Sequence, residues 1–210
     1  MQPRTNNILT KFSEMRCAPQ LNTCNQRRLI SGIADLDQIL DGGLPYGSLI
    51  EWGLPYGQGG REILCRFLAS ATSNPLSLWC LWIVAKQDLT LYPPAWAARG
   101  VQLDKLRITR SEKPLETLRP VFSSPVFNII VIDSPSQLSN EDCAFLQRQA
   151  RQKQQIIMIL RNRSLAPQRG NVWAKLRINA WQERTQDRYC IQVIRGLSPR
   201  QISLKMEGSW

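Results

Sequence analysis

Two long apolar runs constrain the fold of this chain more than any other feature of its sequence. Residues 76–85 (LSLWCLWIVA) and 126–132 (VFNIIVI) contain few polar side chains and do not alternate between apolar and polar positions. Such strands are covered on both faces, as in a mainly parallel sheet with helices on each side. The sequence therefore predicts an α/β protein in which both runs are inner strands, with Trp79 and Trp82 in the core.

A strand, a glycine-rich turn and a helix follow one another between residues 48 and 71. Residues 48–52 (SLIEW) have the pattern of a strand, and the turn extends from Gly53 to Gly60. A helix is expected from about Arg61 to Ala71, because apolar residues recur on one face: Ile63, Leu64, Phe67, Leu68 and Ala71. In parallel α/β sheets, ligands bind beyond the carboxyl ends of such strands.

The segments that follow alternate between helices and strands as far as residue 160. We expect a short helix ending near Arg99 with Gly100 as its cap, a strand at 105–109, a helix at 114–122, a helix at about 140–153 and a strand at 155–160. Beyond residue 160, strand-like segments at 176–181, 189–195 and 201–206 have no helix between them. They predict an antiparallel extension at the C-terminal end of the sheet.

Length and composition favour one domain preceded by a polar arm. A chain of 210 residues with 43% hydrophobic residues is long enough for one well-packed core and short for two. Residues 1–28 contain too few apolar side chains to bury a face, so we expect a mobile or partner-ordered basic arm before a core domain at 29–210. No segment has the roughly 20 apolar residues of a membrane helix, and no secretory signal pattern is present, so a cytoplasmic protein is expected.

Net charge and cysteine content limit the expected partners. The formal net charge of +11 favours an acidic partner such as nucleic acid, although a solvated basic surface would have the same composition. Several of the six cysteines lie in apolar runs, where buried free thiols are expected. Cys17 and Cys24 are spaced too widely for a zinc knuckle and the chain has no histidine, so no metal site is expected.

Several segments of the chain resemble the core of RecA recombinases. Residues 30–53 (ISGIADLDQILDGGLPYGSLIEWG) are similar to the opening of that core, where a short helix and a Gly-Gly-Leu-Pro turn precede the phosphate-loop strand. The resemblance continues through 78–89 (LWCLWIVAKQDL), 98–109 (ARGVQLDKLRIT), 128–134 (NIIVIDS) and 170–180 (GNVWAKLRINA). It implies a RecA-like three-layer α/β fold.

The phosphate loop that this resemblance implies is altered. RecA-type loops of the form G-x-x-x-x-G-K-[ST] cradle ATP phosphates with backbone N–H groups at a helix N-terminus. Here Gly53, Gly57 and Gly60 remain, but the stretch between Gly53 and Gly60 is two residues longer, Arg61 replaces the lysine and Glu62 replaces the magnesium-binding hydroxyl. A carboxylate about 4 Å from a phosphate charge repels it by roughly 4 kcal/mol at an effective dielectric near 20, and we expect it to stabilise the helix N–H groups instead. No nucleotide cofactor is expected.

Two further positions bear on catalysis. Asp133 resembles the Walker B acid of the family, which helps to hold magnesium, although a cap for the turn before Pro135 is the preferred interpretation. Lys86 lies where the family has the glutamate that orients the attacking water, a role that lysine does not fill at neutral pH unless its pKa is strongly lowered. The sequence therefore predicts a protein without catalytic residues and without ATPase activity.

Nucleic-acid contacts are expected only from one short basic loop. In RecA, the loops after the strands that end here near Asp133 and Leu160 touch DNA, and the first is almost deleted in this chain. The second survives at 161–171 (RNRSLAPQRGN). Its three arginines are candidates for weak phosphate contacts: Arg161, Arg163 and Arg169. A solvated basic loop is the alternative.

Residues 89–110 (LTLYPPAWAARGVQLDKLRITR) resemble the ImuA family, shortened RecA-like proteins of bacterial damage-induced mutagenesis. This implies a non-catalytic accessory that associates with an ImuB-like polymerase homologue and with RecA during error-prone translesion synthesis in the SOS response. The alternative is a SulA-like cell-division inhibitor that binds FtsZ, and a weakly ATP-binding recombination or repair protein is a further one. SulA-like proteins generally lack the Gly-Gly-Leu-Pro turn and the acid at Asp133, so the ImuA-like interpretation is preferred.

Overall fold

The chain forms a large β-sheet with helices on both faces in a computed structural model, which describes residues 27–73, 75, 77–168, 170–183 and 188–205. Most of the predicted arm lies outside the described residues, and so do Cys17, Cys24 and the candidate phosphate contact Arg169.

Ten strands, six α-helices and one 3₁₀ helix (Leu103–Lys105) follow one another in the described residues. The strands are β1 (Arg28–Leu29), β2 (Leu44–Pro45), β3 (Ser48–Gly53), β4 (Cys80–Val84), β5 (Leu106–Arg110), β6 (Ile129–Asp133), β7 (Ile156–Arg161), β8 (Leu176–Glu183), β9 (Arg188–Arg195) and β10 (Arg200–Leu204). The helices are α1 (Ala34–Ile39), α2 (Arg61–Ser73), α3 (Pro93–Ala97), α4 (Pro114–Thr117), α5 (Arg119–Phe122) and α6 (Asn140–Lys153).

Eight of the strands form one sheet in the order β10-β9-β8-β3-β7-β6-β4-β5. All pairs from β8 to β5 are parallel, whereas β9 pairs antiparallel with both β8 and β10. The predicted α/β class, the mainly parallel sheet and the antiparallel C-terminal end are confirmed. The extension is smaller than predicted, because β8 still runs parallel to β3 and the antiparallel part begins at β9.

Two apolar layers cover the two faces of the sheet. On one face the apolar sides of α1, α2 and α3 pack against alternate residues of the strands, including Trp52 and Trp82. On the other face α4, α5 and α6 cover the opposite set, including Leu49 and Ile132. All five predicted apolar residues of α2 are buried, as a helix lying on a sheet requires.

Both apolar runs form inner strands, but the strands are shorter than the runs. β4 begins only at Cys80, because the chain turns at Ser77, whose φ is +45°, and Leu78 donates its N–H to the carbonyl of Ala71 at the end of α2. β6 likewise begins at Ile129 rather than at residue 126. Of the two tryptophans predicted for the core, Trp82 is fully buried and Trp79 only partly.

The helix predicted at 114–122 is interrupted. Pro120 has no N–H for the carbonyl of Glu116, and its ring crowds that carbonyl, so the chain forms two single turns, α4 and α5, on either side of Leu118. The helix predicted near 140–153 agrees with α6. There Ser139 and Asp142 form a reciprocal capping box.

No helix in the described part of the chain combines the length and the apolar character needed to cross a membrane.

Candidate functional site

The carboxyl ends of three neighbouring parallel strands bring together the residues that the sequence singled out. β3 leads through the glycine-rich turn into α2, which begins at Arg61. β6 ends at Asp133, and Asn162 follows β7, which lies between β3 and β6 in the sheet. Because parallel α/β sheets hold ligands at this edge, these residues define the candidate site.

The glycine-rich turn is packed against β8. Gln182 of β8 donates its backbone N–H to the carbonyl of Gln58 at 2.6 Å. Gly60 lies so close to the carbonyl oxygen of Ala180 that a β-carbon there would overlap it. The turn is therefore tied to the sheet on its β8 side, and a glycine is required at position 60 by this close approach.

The first N–H groups of α2 already have acceptors. The N–H groups of Glu62 and Ile63 donate to the carbonyls of Gly59 and Gly60 at 2.9 and 3.3 Å. Anion-binding turns leave the N–H groups of the first helical turn free to face a phosphate. Two of the donors that a phosphate loop would offer are thus used inside the turn.

Arg61 and Asp133 form the central contact of the site. The arginine Nε lies 3.1 Å from Oδ2 of the aspartate, and Nη2 lies 2.8 Å from Oδ1, so the guanidinium bonds both carboxylate oxygens. The Asp133 side chain is completely buried, while that of Arg61 is 20% exposed. A bidentate arginine–carboxylate pair is among the strongest polar contacts in proteins.

Two neutral side chains complete this contact. The Oγ of Ser134 lies 2.7 Å from the Oδ1 of Asp133 and 2.7 Å from the Oδ1 of Asn162, so the two oxygens share its one proton. Ser134 and Asn162 both accept hydrogen bonds from Arg61. Ser134 has φ of +60°, a left-handed conformation that is uncommon outside glycine. Backbone strain of this kind persists where surrounding contacts hold it, and here the hydroxyl is bonded on both sides.

This network determines what Asp133 can do chemically. The side chain does more than cap the following turn, the role preferred from the sequence, because it bonds a residue 72 positions away. A magnesium ion needs carboxylate oxygens and would meet the guanidinium charge beside both of them. The arrangement is that of a closed ion pair and not of an open metal ligand.

Glu62 lies apart from this network. Its carboxylate accepts hydrogen bonds from Arg99, at 3.2 Å, and from the hydroxyl of Tyr189 in β9. The side chain is 34% exposed, and its charge is paired with that of Arg99. Glu62 was expected to stabilise the N–H groups at the start of α2, but its side chain is bonded to Arg99 and Tyr189 and so joins α2 to other elements.

Lys86 and Tyr56 lie at the outer side of the site. Lys86 follows β4 and is exposed, and its Nζ lies 4.8 Å from the centre of the Tyr56 ring. The Arg61 guanidinium lies 5.2 Å from the same ring. The ring of Tyr56, which lies on the glycine-rich turn, thus contacts two cations, and such contacts are favourable because the ring face attracts positive charge.

A second charged group lies under the loop after β7. Glu51, in the middle of β3, receives a hydrogen bond from Arg161 of β7 and another from Arg177 of β8, each at 3.0 Å. The side chains of Glu51 and Arg177 are 4% and 3% exposed, and that of Arg161 is 18% exposed. Arg161, a candidate for phosphate contact, is thus engaged within the protein, whereas Arg163 is exposed.

The described cysteines are free thiols inside the core. Burial raises the pKa of Cys65 to about 12 and that of Cys143 to about 11, and it also raises the pKa of Cys80 and Cys190. Thiols of this kind stay protonated near neutral pH and are poor nucleophiles. Within the described ranges, no three or more Cys, Asp or Glu residues are grouped so that they could hold a metal ion.

The residues of these networks that sequence reasoning missed include Glu51, Arg99, Ser134, Asn162, Arg177 and Tyr189. A signal existed for two of them, because Glu51 and Arg177 are charged residues inside strands that are otherwise apolar, where a charge requires a partner. Asn162 and Tyr189 carried no comparable signal.

Comparison of the chain with models of known protein families and with curated protein sequences finds no match.

Proposed function

We propose that this chain is a non-catalytic accessory protein with a RecA-like core that acts in damage-induced mutagenesis. It would assist error-prone translesion synthesis by binding an ImuB-like polymerase homologue and RecA. The observation that carries the non-catalytic part is the pairing of Arg61 with Asp133, which occupies the two positions that correspond to the lysine and the Walker B acid of RecA.

The energy of that pair supports the proposal. To bind ATP and magnesium, Arg61 would have to leave Asp133, and separating a buried pair costs about 3–5 kcal/mol when one partner is left uncompensated. A millimolar dissociation constant corresponds to about 4 kcal/mol of binding energy. The cost of opening the site is therefore as large as the gain from a weak nucleotide contact.

Two neighbouring residues, Glu62 and Lys86, also support a non-catalytic role. Glu62 adds a carboxylate to the first turn of α2, and Lys86 lacks the chemistry of a base that orients water. Binding in place of catalysis is the role that remains for such a core. The sheet order and the central strand before the glycine-rich turn support the RecA-like part of the proposal, and residues 89–110 support the ImuA-like part.

The non-catalytic part is tested by calorimetry with ATP and magnesium. We expect no binding tighter than about millimolar, and no gain for Glu62→Thr alone, because Arg61 still holds Asp133. Arg61→Lys/Glu62→Thr is the matched double variant, since it restores both residue types of the phosphate loop. Micromolar binding by the unmodified protein, or ATP turnover at rates normal for recombinases, would overturn the proposal.

The assembly part is tested by co-purification at micromolar concentration. An ImuB-like polymerase homologue and RecA from the same organism are each offered to the full chain, with FtsZ as the comparison. A complex with either of the first two, and none with FtsZ, is the expected result. The proposal would be contradicted if neither the polymerase homologue nor RecA formed a complex with the chain. It would also be contradicted if the chain bound FtsZ and prevented its polymerisation.

A further inference from the structure

The antiparallel part of the sheet has one face that the helices leave open. The apolar layer beneath α4, α5 and α6 contains residues of β3, β4, β6 and β7 and, within the described ranges, none of β8, β9 or β10. The loop after β7 covers the middle of β8 on this face, because Leu165 exchanges two hydrogen bonds with the side chain of Asn179. The part of the face near the end of β8 is not covered in this way.

Trp181 lies on this open part of the face. Ile178 and Ala180 belong to the apolar layer on the opposite face, so the alternation of side chains along β8 turns Trp181 and Glu183 away from that layer. Trp181 is paired across the strands with Cys190 of β9 and is only partly buried. An aromatic ring on an open sheet face is a surface on which an unpaired base can stack.

A pocket of about 490 Å³ lies against Trp181. We call it the Trp181 pocket, and its walls are the glycine-rich turn and three strands, at Gly57, Gln58, Trp181, Glu183, Cys190 and Gln201. The volume is within the range of roughly 300–1,000 Å³ that is typical of ligand sites. An indole ring together with amide and carboxylate side chains suits a flat ring with polar edges.

Two exposed cations lie at the same corner of the sheet. Arg188 begins β9 directly opposite Glu183, at the end of β8. β10 runs antiparallel to β9, so Lys205, the residue after β10, follows beside Arg188. Because neighbouring strands are about 5 Å apart, both long side chains are within reach of phosphates that flank a group on Trp181. These two cations outnumber the one carboxylate of the pocket.

We propose that the Trp181 pocket binds a base of a single-stranded nucleic acid. The ring of Trp181 stacks on the base, Glu183 accepts a hydrogen bond from an exocyclic amino group, and the two cations contact the adjacent phosphates. Cytosine carries such an amino group where thymine carries a carbonyl, so cytosine is preferred. This inference goes beyond the proposed function, because it adds a direct nucleic-acid contact to a protein that acts through protein partners.

The position of the carboxylate favours a base over an acidic peptide. Glu183 repels a second carboxylate brought to the same pocket, whereas a neutral base meets it as a hydrogen-bond partner. The cations lie at the margin, where the phosphates on either side of the base pass. The site is also separate from the loop after β7, in which Arg161 is already bonded to Glu51.

Fluorescence anisotropy with labelled oligonucleotides tests the proposal on the full chain. The probes are oligodeoxycytidylate, oligothymidylate of the same length and a duplex of that length, at low and at physiological salt. We expect the cytidine strand to bind several-fold more tightly than the thymidine strand. Both should bind more tightly than the duplex, because paired bases are stacked inside the helix and do not reach Trp181.

Two changes to Trp181 measure the stacking. Trp181→Ala should weaken binding of the cytidine strand about tenfold, and Trp181→Phe, which keeps an aromatic ring, should weaken it about twofold. Trp173→Ala is the matched control, because Trp173 is 44% exposed, lies before the start of β8 and should leave binding unchanged. Thermal unfolding followed by circular dichroism establishes that each variant is folded, and if Trp181→Ala is not, the variants of the charged residues decide.

Variants of the charged residues separate base recognition from phosphate contact. Glu183→Gln should reduce the preference for cytidine over thymidine without weakening thymidine binding, since an amide both donates and accepts hydrogen bonds. Arg188→Gln should weaken binding of both strands and lower its salt dependence. Arg148→Gln, at an exposed position of α6, should change neither.

Several outcomes would overturn the proposal. One is the absence of oligonucleotide binding at micromolar protein, and another is an unchanged preference for cytidine in Glu183→Gln. Equal losses for Trp181→Ala and Trp173→Ala, or equal affinity for single strands and the duplex, would mean attraction by net charge alone. Binding that Arg163→Gln weakens but Trp181→Ala and Arg188→Gln do not would place the nucleic acid on the loop after β7. Co-purification with the protein partners tests the proposed function separately, so either proposal can fail while the other stands.

Discussion

The guanidinium of Arg61 donates one hydrogen bond to each carboxylate oxygen of Asp133. The arginine begins α2 and the aspartate ends β6, so the pair joins the glycine-rich turn to a strand two positions away in the sheet. The Asp133 side chain is completely buried, and Arg61 is its ion-pair partner. The contact therefore has a structural role that can be measured without any ligand.

Replacing Arg61 tests that role. Arg61→Ala leaves a buried carboxylate unpaired, and we expect the free energy of unfolding to fall by about 3 kcal/mol in urea denaturation. The double variant with Asp133→Ala should lose much less than the sum of the single variants, because it removes both charges. Lys113→Ala, which breaks an exposed pair with Glu116, is the control and should change stability by less than about 1 kcal/mol. Equal losses for Arg61→Ala and Lys113→Ala would refute the role.

Glu51→Gln removes the carboxylate between two arginines. The two guanidinium groups would then lie together without the carboxylate that pairs with both of them, so a loss of about 3–5 kcal/mol is expected by the same measurement. Glu116→Gln makes the same change at a side chain that is 67% exposed and should shift stability by at most about 0.5 kcal/mol. A near-neutral Glu51→Gln variant would mean that the arginines reorganise toward solvent.

The contact between Glu62 and Tyr189 is a separate support for the start of α2. Tyr189→Phe removes the hydroxyl that bonds the carboxylate, and a loss of about 1 kcal/mol is expected. Glu62→Gln should lose a similar amount, because its ion pair with Arg99 is partly exposed and therefore screened. Thermal unfolding followed by circular dichroism measures both variants. A gain in stability for Glu62→Gln would show that the carboxylate is unfavourable where it lies.

Stability should fall in alkaline solution. Burial raises the pKa of Cys65 from 9.0 to about 12, that of Cys143 from 9.0 to about 11 and that of Tyr46 from 10.0 to about 12. Above about pH 9 the unfolded chain loses these protons while the folded chain keeps them, so the folded state binds more protons and the free energy of unfolding decreases as pH rises. Denaturation curves at successive pH values above 9 measure the slope. Cys65→Ser/Cys143→Ser should flatten it, and an unchanged slope would assign it to other groups.

Thiol reactivity gives an independent measurement of the same burial. Iodoacetamide reacts with the thiolate, so the four described cysteines should be alkylated far more slowly in the folded protein than in urea. Mass spectrometry after proteolysis locates the modified positions. Rapid native alkylation of Cys65 or Cys80 would contradict the buried core that the structure describes.

The fold was largely predictable because it depends on local patterns. The apolar runs that became β4 and β6, and the apolar face of α2, are legible from residue type and spacing alone. The break at Pro120 was also present in the sequence, since proline cannot continue a helix, but the apolar residues around it favoured one longer helix.

The site was less predictable because its contacts join distant parts of the chain. The sequence singled out Arg61, Glu62 and Asp133, yet it could not indicate that Arg61 would reach Asp133 or that Glu62 would turn toward Arg99, 37 residues away. Which of two nearby acids an arginine pairs with depends on strand order and side-chain direction. Neither is encoded in spacing along the chain.

Glu51 and Arg177 are directly opposite each other where β3 meets β8. Sliding β8 by one residue would turn Arg177 to the other side of the sheet, among the apolar side chains that now surround Leu176 and Ile178. A shift of this kind separates the two charges and buries the Arg177 guanidinium among apolar side chains without its partner. The ion pair therefore favours the native register of β8 on β3 and disfavours shifted registers.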